Sequence, residues 1–394
     1  MNNIANFDFK NKKTLIRVDF NVPLGENNKV TDTSRIIAAI PTIKRVISSG
    51  GIAILISHLG RPKGKKNLRY SLSNIQKDLE KLLHKSVAFI DDCIGSKVER
   101  FIYKQTAGSV ILLENLRFYN QEESGDLEFA KKLSRLADVY INDAFGTAHR
   151  LHASNSVIPQ FFKHKFFGLL MQDEVLNLEK TLKTPTKPFT AIIGGAKISS
   201  KIEVVLALID KVDNLIIGGG MAFTFIKARG GAIGNSIYEE DKIDLANKII
   251  QKAENKGVNI ILPSDSINSS KFGDDGDIQI SHIEKIESNY MGLDIGPESI
   301  KMFSNVIQNS KTIIWNGPMG VFEIELFSEG TRQIALSVAK ATSEGAYSLV
   351  GGGDSVAAIK KFNLESSVSY ISTGGGAMIE YLEGKKLPAI EAML

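Results

Sequence analysis

The chain has 394 residues, of which 43% are hydrophobic and 23% are charged, as expected for a globular protein of two or three domains. The formal net charge of +4 is small for this length, so charge alone gives no reason to expect a nucleic-acid partner. The single cysteine, Cys93, excludes an intrachain disulfide and favours a reducing compartment. The sequence has neither a signal-peptide core at its amino terminus nor an uncharged apolar run of ~18 residues, so we expect a soluble cytoplasmic protein.

Short apolar runs alternate with amphipathic stretches through the first half of the chain. The runs predict buried strands at 14–20, 52–58, 87–91, 109–115 and 139–145. Helical patterns lie between them at 34–49, 71–85, 96–105 and 126–137, with Pro41 placed early in the first. This alternation is typical of a parallel sheet with helices on both faces.

The second half repeats the pattern after a connecting segment. Strands are predicted at 189–196, 214–220, 259–265, 312–318, 347–353 and 368–376. Amphipathic helices are predicted at 200–211 and 331–341. The segment 168–188 is interpreted as a helix that runs into a proline-bearing turn, and it predicts a domain boundary.

Glycines follow four predicted strands of the second half. Triplets occupy 218–220, 351–353 and 374–376, and Gly194 and Gly195 follow a fourth strand. Ligands of open parallel sheets bind at the carboxyl ends of strands, where glycine lets the backbone approach and a helix amino terminus offers N–H groups. A tight turn would explain any one triplet, but four such sites favour a nucleotide. Phe223 and Val356 replace the third glycine of a dinucleotide fingerprint.

The stretch "GGAKISSKI" places Lys197 and Lys201 four residues apart, which predicts that they share one face at the start of a helix. There we expect Lys201 to hold nucleotide phosphates, because the helix dipole also favours an anion. Two surface lysines are the alternative. Asp354 heads a later helix, where it suits either Mg²⁺ bridging the phosphates or an N-cap.

The strand ends of the first half carry basic and polar side chains instead. Any one arginine could be a solvated surface residue, but several at one sheet edge would converge. The guanidinium fork suits phosphate and carboxylate, so we expect a small, multiply charged anion. The basic run 61–69 is otherwise a mostly solvated loop. The candidate anion-binding residues are Asp19, Asn21, Arg35, His58, Arg61, Arg117 and Arg150.

Nine motifs closely resemble, in order, those of the phosphoglycerate kinase family, and the likeness runs from about residue 14 to the end. They are "LIRVDFNVP", "SHLGRPKG", "LLENLRF", "DAFGTAHR", "GGAKISSKI", "GLDIGP", "WNGPMGVFE", "GGGDS" and "STGGGA". The resemblance implies two Rossmann-like, doubly wound α/β domains that face each other across a cleft. The implied parts are a 3-phosphoglycerate domain at 1–170, a connecting helix and hinge at 171–188, a nucleotide domain at 189–374, and a return of 375–394 to the first domain.

The resemblance also assigns site residues. It implies catalytic roles for Arg35, Lys197, Lys201 and Gly353. The implied 3-phosphoglycerate site comprises Asp19, Phe20, Asn21, Arg35, His58, Leu59, Gly60, Arg61, Arg117 and Arg150. The implied nucleotide site comprises Gly195, Ala196, Lys201, Gly219, Gly292, Leu293, Asn316, Pro318, Glu323, Gly352, Gly353, Asp354 and Ser355, with Mg²⁺ bound through the nucleotide at Asp354. Ser200 and Ala389 depart from residues common in the family, Asp and Gly, without touching a catalytic position.

The implied activity is reversible phosphoryl transfer between 1,3-bisphosphoglycerate and ADP, giving 3-phosphoglycerate and ATP, in a cytoplasmic monomer without nucleic-acid or membrane partners. In-line transfer with domain closure is expected, since the two ligands bind different domains. No general base is evident, which fits a carboxylate acceptor that is already ionised at neutral pH. The alternatives are an NAD-dependent dehydrogenase with Rossmann-like domains and a non-catalytic RNA-binding protein.

Overall fold

The computed structural model describes residues 4–394, whose contacts group into two compact units. The first unit runs to Leu176 and also contains Lys386–Leu394, and the second unit is Asn177–Lys385. Each unit is built on one six-stranded parallel sheet. The predicted fold class, two parallel-sheet α/β domains, is therefore confirmed.

The sheet of the first unit is buried across most of its strands, as expected when helices cover both faces. All five predicted strands are present, and each ends one or two residues before its predicted end, because the final motif residues leave the ladder. A sixth strand, β6, was not predicted. The strands are β1 (Lys13–Val18), β2 (Ile52–Ile56), β3 (Ala88–Ile90), β4 (Val110–Leu113), β5 (Val139–Asp143) and β6 (His164–Phe167).

The strand order of the first sheet is β3-β4-β2-β1-β5-β6. The chain moves outward from β1 to one side and later continues to the other, so right-handed crossovers place helices on both faces. The reversal lies between β1 and β5, where open α/β sheets bind ligands. The helices are α1 (Ser34–Ser48), α2 (Ser73–Leu83), α3 (Ser96–Tyr103), α4 (Asn120–Glu123), α5 (Leu127–Ser134) and α6 (Leu169–Lys183).

The first helix corrects one expectation. Pro41 is the eighth of the 15 residues of α1 and not an early one. A proline there lacks an N–H for the helical ladder. The helix nevertheless continues to Ser48, because Ile40, Ile43 and Val46 are buried in the core of the first unit.

The main sheet of the second unit has the order β10-β8-β7-β15-β16-β17, with its reversal between β7 and β15. All six predicted strands are present, and they end two to five residues before the predicted ends. The strands of the second unit, including those outside its main sheet, are β7 (Phe189–Ile193), β8 (Asn214–Ile217), β9 (Ala232–Ile233), β10 (Asn259–Ile261), β11 (Asp265–Ser269), β12 (Ile278–His282), β13 (Lys285–Ile286), β14 (Met291–Ile295), β15 (Thr312–Asn316), β16 (Tyr347–Val350) and β17 (Tyr370–Ile371).

Five of these strands form two small sheets that the sequence did not predict. Strand β11 pairs antiparallel with both β12 and β14, and β9 pairs with β13. They follow or flank the main-sheet strands rather than extend them. The later helices are α7 (Ile202–Ile209), α8 (Met221–Ala228), α9 (Ile243–Lys256), α10 (Pro297–Gln308), α11 (Glu329–Ser343), α12 (Gly353–Lys361), α13 (Gly376–Leu382) and α14 (Pro388–Glu391).

The contact boundaries differ in position from the predicted domain boundaries. One falls inside α6, between Leu176 and Asn177. Only Lys386–Leu394, rather than all of 375–394, groups with the first unit, because α13 packs against α7. Ala389 is fully buried there, and its N–H donates to Ala148 O at 3.0 Å, so its methyl group is accommodated in the docked carboxyl terminus.

Candidate functional site

The predicted anion-binding residues of the first unit lie at the ends of the strands nearest the reversal of the sheet. Asp19 directly follows β1 and His58 lies two residues beyond β2, and both side chains are buried. Arg35, in the first turn of α1, forms an ion pair with the Asp19 carboxylate. Asn21 Oδ1 accepts a hydrogen bond from Gly60 N at 2.8 Å, which ties the loop after β1 to the loop after β2.

Arg117 follows β4 and is 2% exposed. One of its terminal nitrogens, Nη1, donates to Gly60 O at 2.8 Å. Nε lies 3.2 Å from Glu123 Oε1 without hydrogen-bonding geometry, and Nη2 has no hydrogen-bond partner among the described residues. Burial lowers the pKa of Arg117 to about 10, so the guanidinium is charged at neutral pH and retains donors for an anion.

His58 is 3% exposed, and its Nδ1 lies 3.2 Å from Nη2 of the fully buried Arg17. Burial holds the pKa of His58 well below its ordinary value of 6.5, and the nearby arginines, led by Arg17, lower it further. The imidazole is therefore neutral at physiological pH. It contributes hydrogen bonding, and not positive charge, to the site.

The remaining predicted residues of the first unit differ in exposure. Arg61 is exposed, and the half-buried Arg150 lies beside His149. Phe20 and Leu59 are at most 1% exposed and belong to the core, so only their backbones are available to a ligand. The Phe20 N–H already donates to Ser57 Oγ at 2.9 Å.

The second unit contains a cavity of about 390 Å³ at the carboxyl ends of its strands. Eight predicted residues line it: Gly195, Ala196, Gly219, Gly292, Leu293, Pro318, Glu323 and Asp354. Sequence reasoning missed several apolar side chains of the wall, namely Phe223, Ile237, Phe272, Met291, Met319 and Val321. The sequence marks Phe223 only as the replacement of a fingerprint glycine, and the motif "WNGPMGVFE" contains Met319 and Val321 without indicating that they form the wall.

Two glycines of this cavity are required by the backbone around them. Gly219 has φ +68°, and a Cβ there would lie 2.7 Å from Gly195 N. A Cβ on Gly292 would overlap the ring of Phe223. The glycines therefore let the surrounding backbone and the Phe223 ring approach these two positions closely.

The predicted helical face shared by Lys197 and Lys201 is wrong. Residues Ile198–Ser200 form a 3₁₀ turn, closed by Ser200 Oγ donating to Lys197 O at 2.8 Å, and α7 begins only at Ile202. Lys197 is exposed, whereas Lys201 is half-buried and donates to Asn316 Oδ1. Burial lowers the pKa of Lys201, and the Asp354 carboxylate opposes that shift.

Asn316 ends β15 and connects Lys201 to the next strand end. Its Nδ2 donates to Gly351 O at 2.8 Å. Nearby, Ser355 Oγ accepts from Gly317 N at 2.6 Å, which joins α12 to the loop after β15. The amide of Asn316 thus orients the Lys201 ammonium at the reversal between β7 and β15.

Asp354 is the second residue of α12, and Gly352 is the residue that precedes the helix, so the predicted N-cap alternative is wrong. Its carboxylate is exposed, as is that of Glu323. A Cβ on Gly353 would meet nothing within 4 Å, so protein packing does not require a glycine there. Residues 4–394 contain no cluster of three or more His, Cys, Asp or Glu suited to a metal. One or two carboxylates do suit Mg²⁺ that is bound mainly through phosphates.

None of the helices formed by residues 4–394 has the length and apolar character needed to cross a membrane. The family model described as "Phosphoglycerate kinase" matches residues 4–385. The chain is 49% identical to the Phosphoglycerate kinase of Porphyromonas gingivalis (99% of both chains) and 50% identical to "Phosphoglycerate kinase, cytosolic" of Nicotiana tabacum (98% of this chain, 96% of that one). It is similar to the solved structure of phosphoglycerate kinase from Coxiella burnetii, with a TM-score of 0.90 and 42% identity over 99% of this chain and 97% of that one.

Proposed function

The chain belongs to the phosphoglycerate kinase family, and from this premise we propose which residues hold each substrate and how transfer proceeds. The predicted family, fold class and phosphotransferase activity in glycolysis are confirmed. The dehydrogenase alternative is not favoured. The substrates are accordingly ATP or ADP and phosphoglycerate.

The proposal assigns 3-phosphoglycerate to the first unit. The observation that carries it is Arg117, a buried and charged guanidinium whose Nη2 has no hydrogen-bond partner among residues 4–394. A buried unpaired donor is costly, and an anion would satisfy it. Asn21 and Arg117 both bind the backbone of Gly60, and Arg35 is held by Asp19. Arg61 and Arg150 add exposed and half-buried charge.

The nucleotide is assigned to the second unit. The cavity there is lined by glycine backbone and apolar side chains, which suit a flat, neutral base. Lys201, fixed by Asn316, lies near the amino terminus of α7, so it suits the phosphates. Asp354 and Glu323 suit the magnesium that would neutralise phosphate charge.

Phosphoryl transfer in this enzyme needs positioning and charge neutralisation rather than proton removal, since the acceptor is a carboxylate. In the proposal Lys197 and Lys201 of the second unit and Arg35 of the first unit neutralise the group in transfer. The exposed Gly353 lets backbone N–H groups at the start of α12 approach the phosphates, because no side chain covers them.

Domain closure follows from this division of ligands. In-line transfer requires the reacting atoms to approach within ~3–3.5 Å, and the acyl phosphate must be kept from water. We place the hinge in the predicted segment 171–188, which contains all but the first two residues of α6. Solution scattering on the free, singly liganded and doubly liganded protein, with a non-transferable ATP analogue, tests closure. An unchanged radius of gyration at demonstrated saturation contradicts it.

The assignment of ligands is tested by turnover with inorganic sulfate as a competing anion. Sulfate should compete with 3-phosphoglycerate because the first site is built from cations, and it should compete less with ATP. Stronger competition against ATP would reverse the assignment. The cytosolic tobacco relative and the single, buried Cys93 support a cytoplasmic location, which fractionation would check. The monomeric state stays a prediction that light scattering would check.

A further inference from the structure

The first unit also contains a hydrogen-bonded series of fully buried polar side chains, which we call the buried series. Glu122 belongs to α4, Ser154 to a single π-helical turn at Ala153–Val157, and Arg17 to β1. All three are 0% exposed. None of them belongs to the substrate-binding set, and buried groups of this kind are costly unless each has its partners.

The side-chain hydrogen bonds of the buried series are donated in one direction, from Arg17 towards Glu122. Arg17 Nε donates to Ser154 Oγ at 2.8 Å, and Ser154 Oγ donates to Glu122 Oε1 at 2.6 Å. The second carboxylate oxygen, Glu122 Oε2, accepts from Ser154 N at 3.0 Å. The serine hydroxyl therefore uses its one hydrogen towards the carboxylate and its lone pair towards the guanidinium.

At its other end, the buried series reaches His58 through Arg17. Arg17 Nη1 donates to Val18 O, and Arg17 Nη2 lies 3.2 Å from His58 Nδ1. A guanidinium nitrogen can only donate, so Nδ1 must accept and cannot carry a hydrogen. Asp19 Oδ1 is 3.9 Å from the same nitrogen, too far to accept a hydrogen bond from it. The ring hydrogen is left on Nε2.

We propose that Glu122, Ser154 and Arg17 are positioning residues that fix His58 as the neutral tautomer with its hydrogen on Nε2, so that His58 recognises the acid substrate as an uncharged hydrogen-bond donor. The inference rests on the proposed placement of 3-phosphoglycerate in the first unit. The charged groups that act on His58 are Arg17, Arg35, Arg117, Arg150 and Asp19. Four cations surround the ring, which disfavours the imidazolium and agrees with its lowered pKa.

This arrangement has a chemical consequence. A charged histidine would lose its contact with Arg17, because both groups would then be donors of like charge. A neutral ring with the hydrogen on Nδ1 would lose it too. Only the Nε2–H form lets the buried arginine and an anionic ligand be satisfied at the same time. Recognition through His58 should therefore be independent of pH where a free histidine titrates.

The first experiment is ¹⁵N NMR of the imidazole nitrogens in wild-type protein, with His58→Gln to assign the signal among the six histidines. We expect one protonated nitrogen, Nε2, and no titration between about pH 5.5 and 8. A hydrogen on Nδ1, or a charge change within this range, would overturn the proposal. The titration is made on the wild-type protein and does not depend on enzyme activity.

The second experiment removes the hydrogen bonds that Ser154 forms between Arg17 and Glu122. Ser154→Ala and Glu122→Gln should mix the tautomers of His58 and raise the KM for 3-phosphoglycerate about 2–10-fold, with the KM for ATP unchanged, as expected for one net hydrogen bond. Ser156→Ala is the matched control, because Ser156 lies in the same turn but donates to His152 O at 2.9 Å. Ser154→Thr keeps the hydroxyl and should restore the wild-type tautomer.

The outcomes separate the inference from the proposed function. Unchanged imidazole signals in Ser154→Ala, or equal effects of Ser154→Ala and Ser156→Ala, would refute the positioning role. If instead Arg61→Ala leaves the KM for 3-phosphoglycerate unchanged while the NMR result holds, the placement of the substrate fails and the tautomer assignment stands.

Discussion

The two sites of the molecule are built from different materials. In the first unit, charged and polar side chains are held by one another or by the backbone: Arg35 pairs with Asp19, Asn21 accepts from Gly60 N, and Arg117 donates to Gly60 O. In the second unit, the cavity is formed largely by glycine backbone and apolar walls, and the predicted carboxylates that line it, Glu323 and Asp354, are exposed. A small anion offers little area, so its site must supply oriented charge, whereas a base offers a flat surface that a slot can bury.

The two sites also differ in the interactions that maintain their structure. The first site depends on buried hydrogen-bond partners, so the loss of one partner leaves another unsatisfied. The second depends on close backbone approach, so an added methyl group is the damaging change. Substitutions in the two units should therefore affect the two substrates separately, and this separation can be tested.

The largest effect is expected at Lys201, the half-buried lysine that donates to Asn316. Lys201→Ala should lower kcat on the order of 10²–10³-fold, because a preorganised charge near the group in transfer is lost. Steady-state kinetics with both substrates saturating gives the answer. Lys211→Ala, an exposed lysine beyond the end of α7, is the control and should leave kcat unchanged. A loss below threefold in a folded Lys201→Ala protein would contradict the assignment.

The next effect separates the substrates. Arg61→Ala should raise the KM for 3-phosphoglycerate about 10–100-fold, the expected loss for a hydrogen bond between charged groups, and leave the KM for ATP nearly unchanged. Arg61 is exposed, so the fold should not be affected. Arg69→Ala, in the same loop and also exposed, is the matched control. If the ATP constant moves more, the two units have been given the wrong ligands.

A smaller and opposite selectivity is expected in the second unit. The Cβ of Gly292→Ala would overlap the Phe223 ring, so the wall of the cavity must shift. The KM for ATP should rise about tenfold while that for 3-phosphoglycerate stays constant. The double variant Gly292→Ala/Phe223→Leu should recover part of the loss, because the shorter side chain makes room. A folded single variant with unchanged ATP kinetics would show that the slot does not hold the nucleotide.

Much of this comparison was predictable from the sequence, because both sites lie where strands end. Each apolar run that predicts a strand is a strand in the structure. The residue types after these runs indicated an anion at one sheet and a nucleotide at the other. Asp19, His58 and Arg117 were found this way. The resemblance added the residues, such as Gly292 and Leu293, that lie in no predicted strand of the main sheet.

The missed features depend on contacts that local pattern does not contain. The small sheet of β11, β12 and β14 escaped because its strands carry polar residues or glycine between the apolar ones, and Phe272 in its loop enters the cavity wall. Lys201 was assigned to a helix that begins one residue later, since the glycine turn extends through a 3₁₀ turn. Arg17 looked like any strand residue, and only the fold brings it to Ser154 and His58.

The two units share one feature despite these differences, a buried carboxylate that accepts from the start of a helix. Asp143 ends β5 and accepts from Met171 N of α6 at 3.2 Å. Asp294, in β14, accepts from Gly330 N of α11 at 2.7 Å and from Ile295 N at 2.9 Å. Burial raises the pKa of each to about 7, although the hydrogen bonds from the backbone oppose the shift. If burial is the cause, both units should respond to pH in the same way.

The last prediction tests this likeness, and it concerns stability only. The folded-state pKa of Asp294 is about 7 against an ordinary value of 3.8, so between these values the folded unit holds a proton that the unfolded chain has released. This contribution to stability is fully present below about pH 4 and is lost as the pH rises through 7. Asp294→Asn cannot titrate, so its unfolding free energy minus that of wild type should rise from pH 4 to 7 and then level off. The lost acceptor adds an offset that does not change with pH.

Trp315, the single tryptophan, is buried in the second unit, so its fluorescence during denaturant unfolding reports on that unit. Asp143→Asn, the matched change in the first unit, should leave the pH dependence of the Trp315 transition as in wild type. A flat difference for Asp294→Asn would show that this carboxylate is ionised in the folded protein throughout the range.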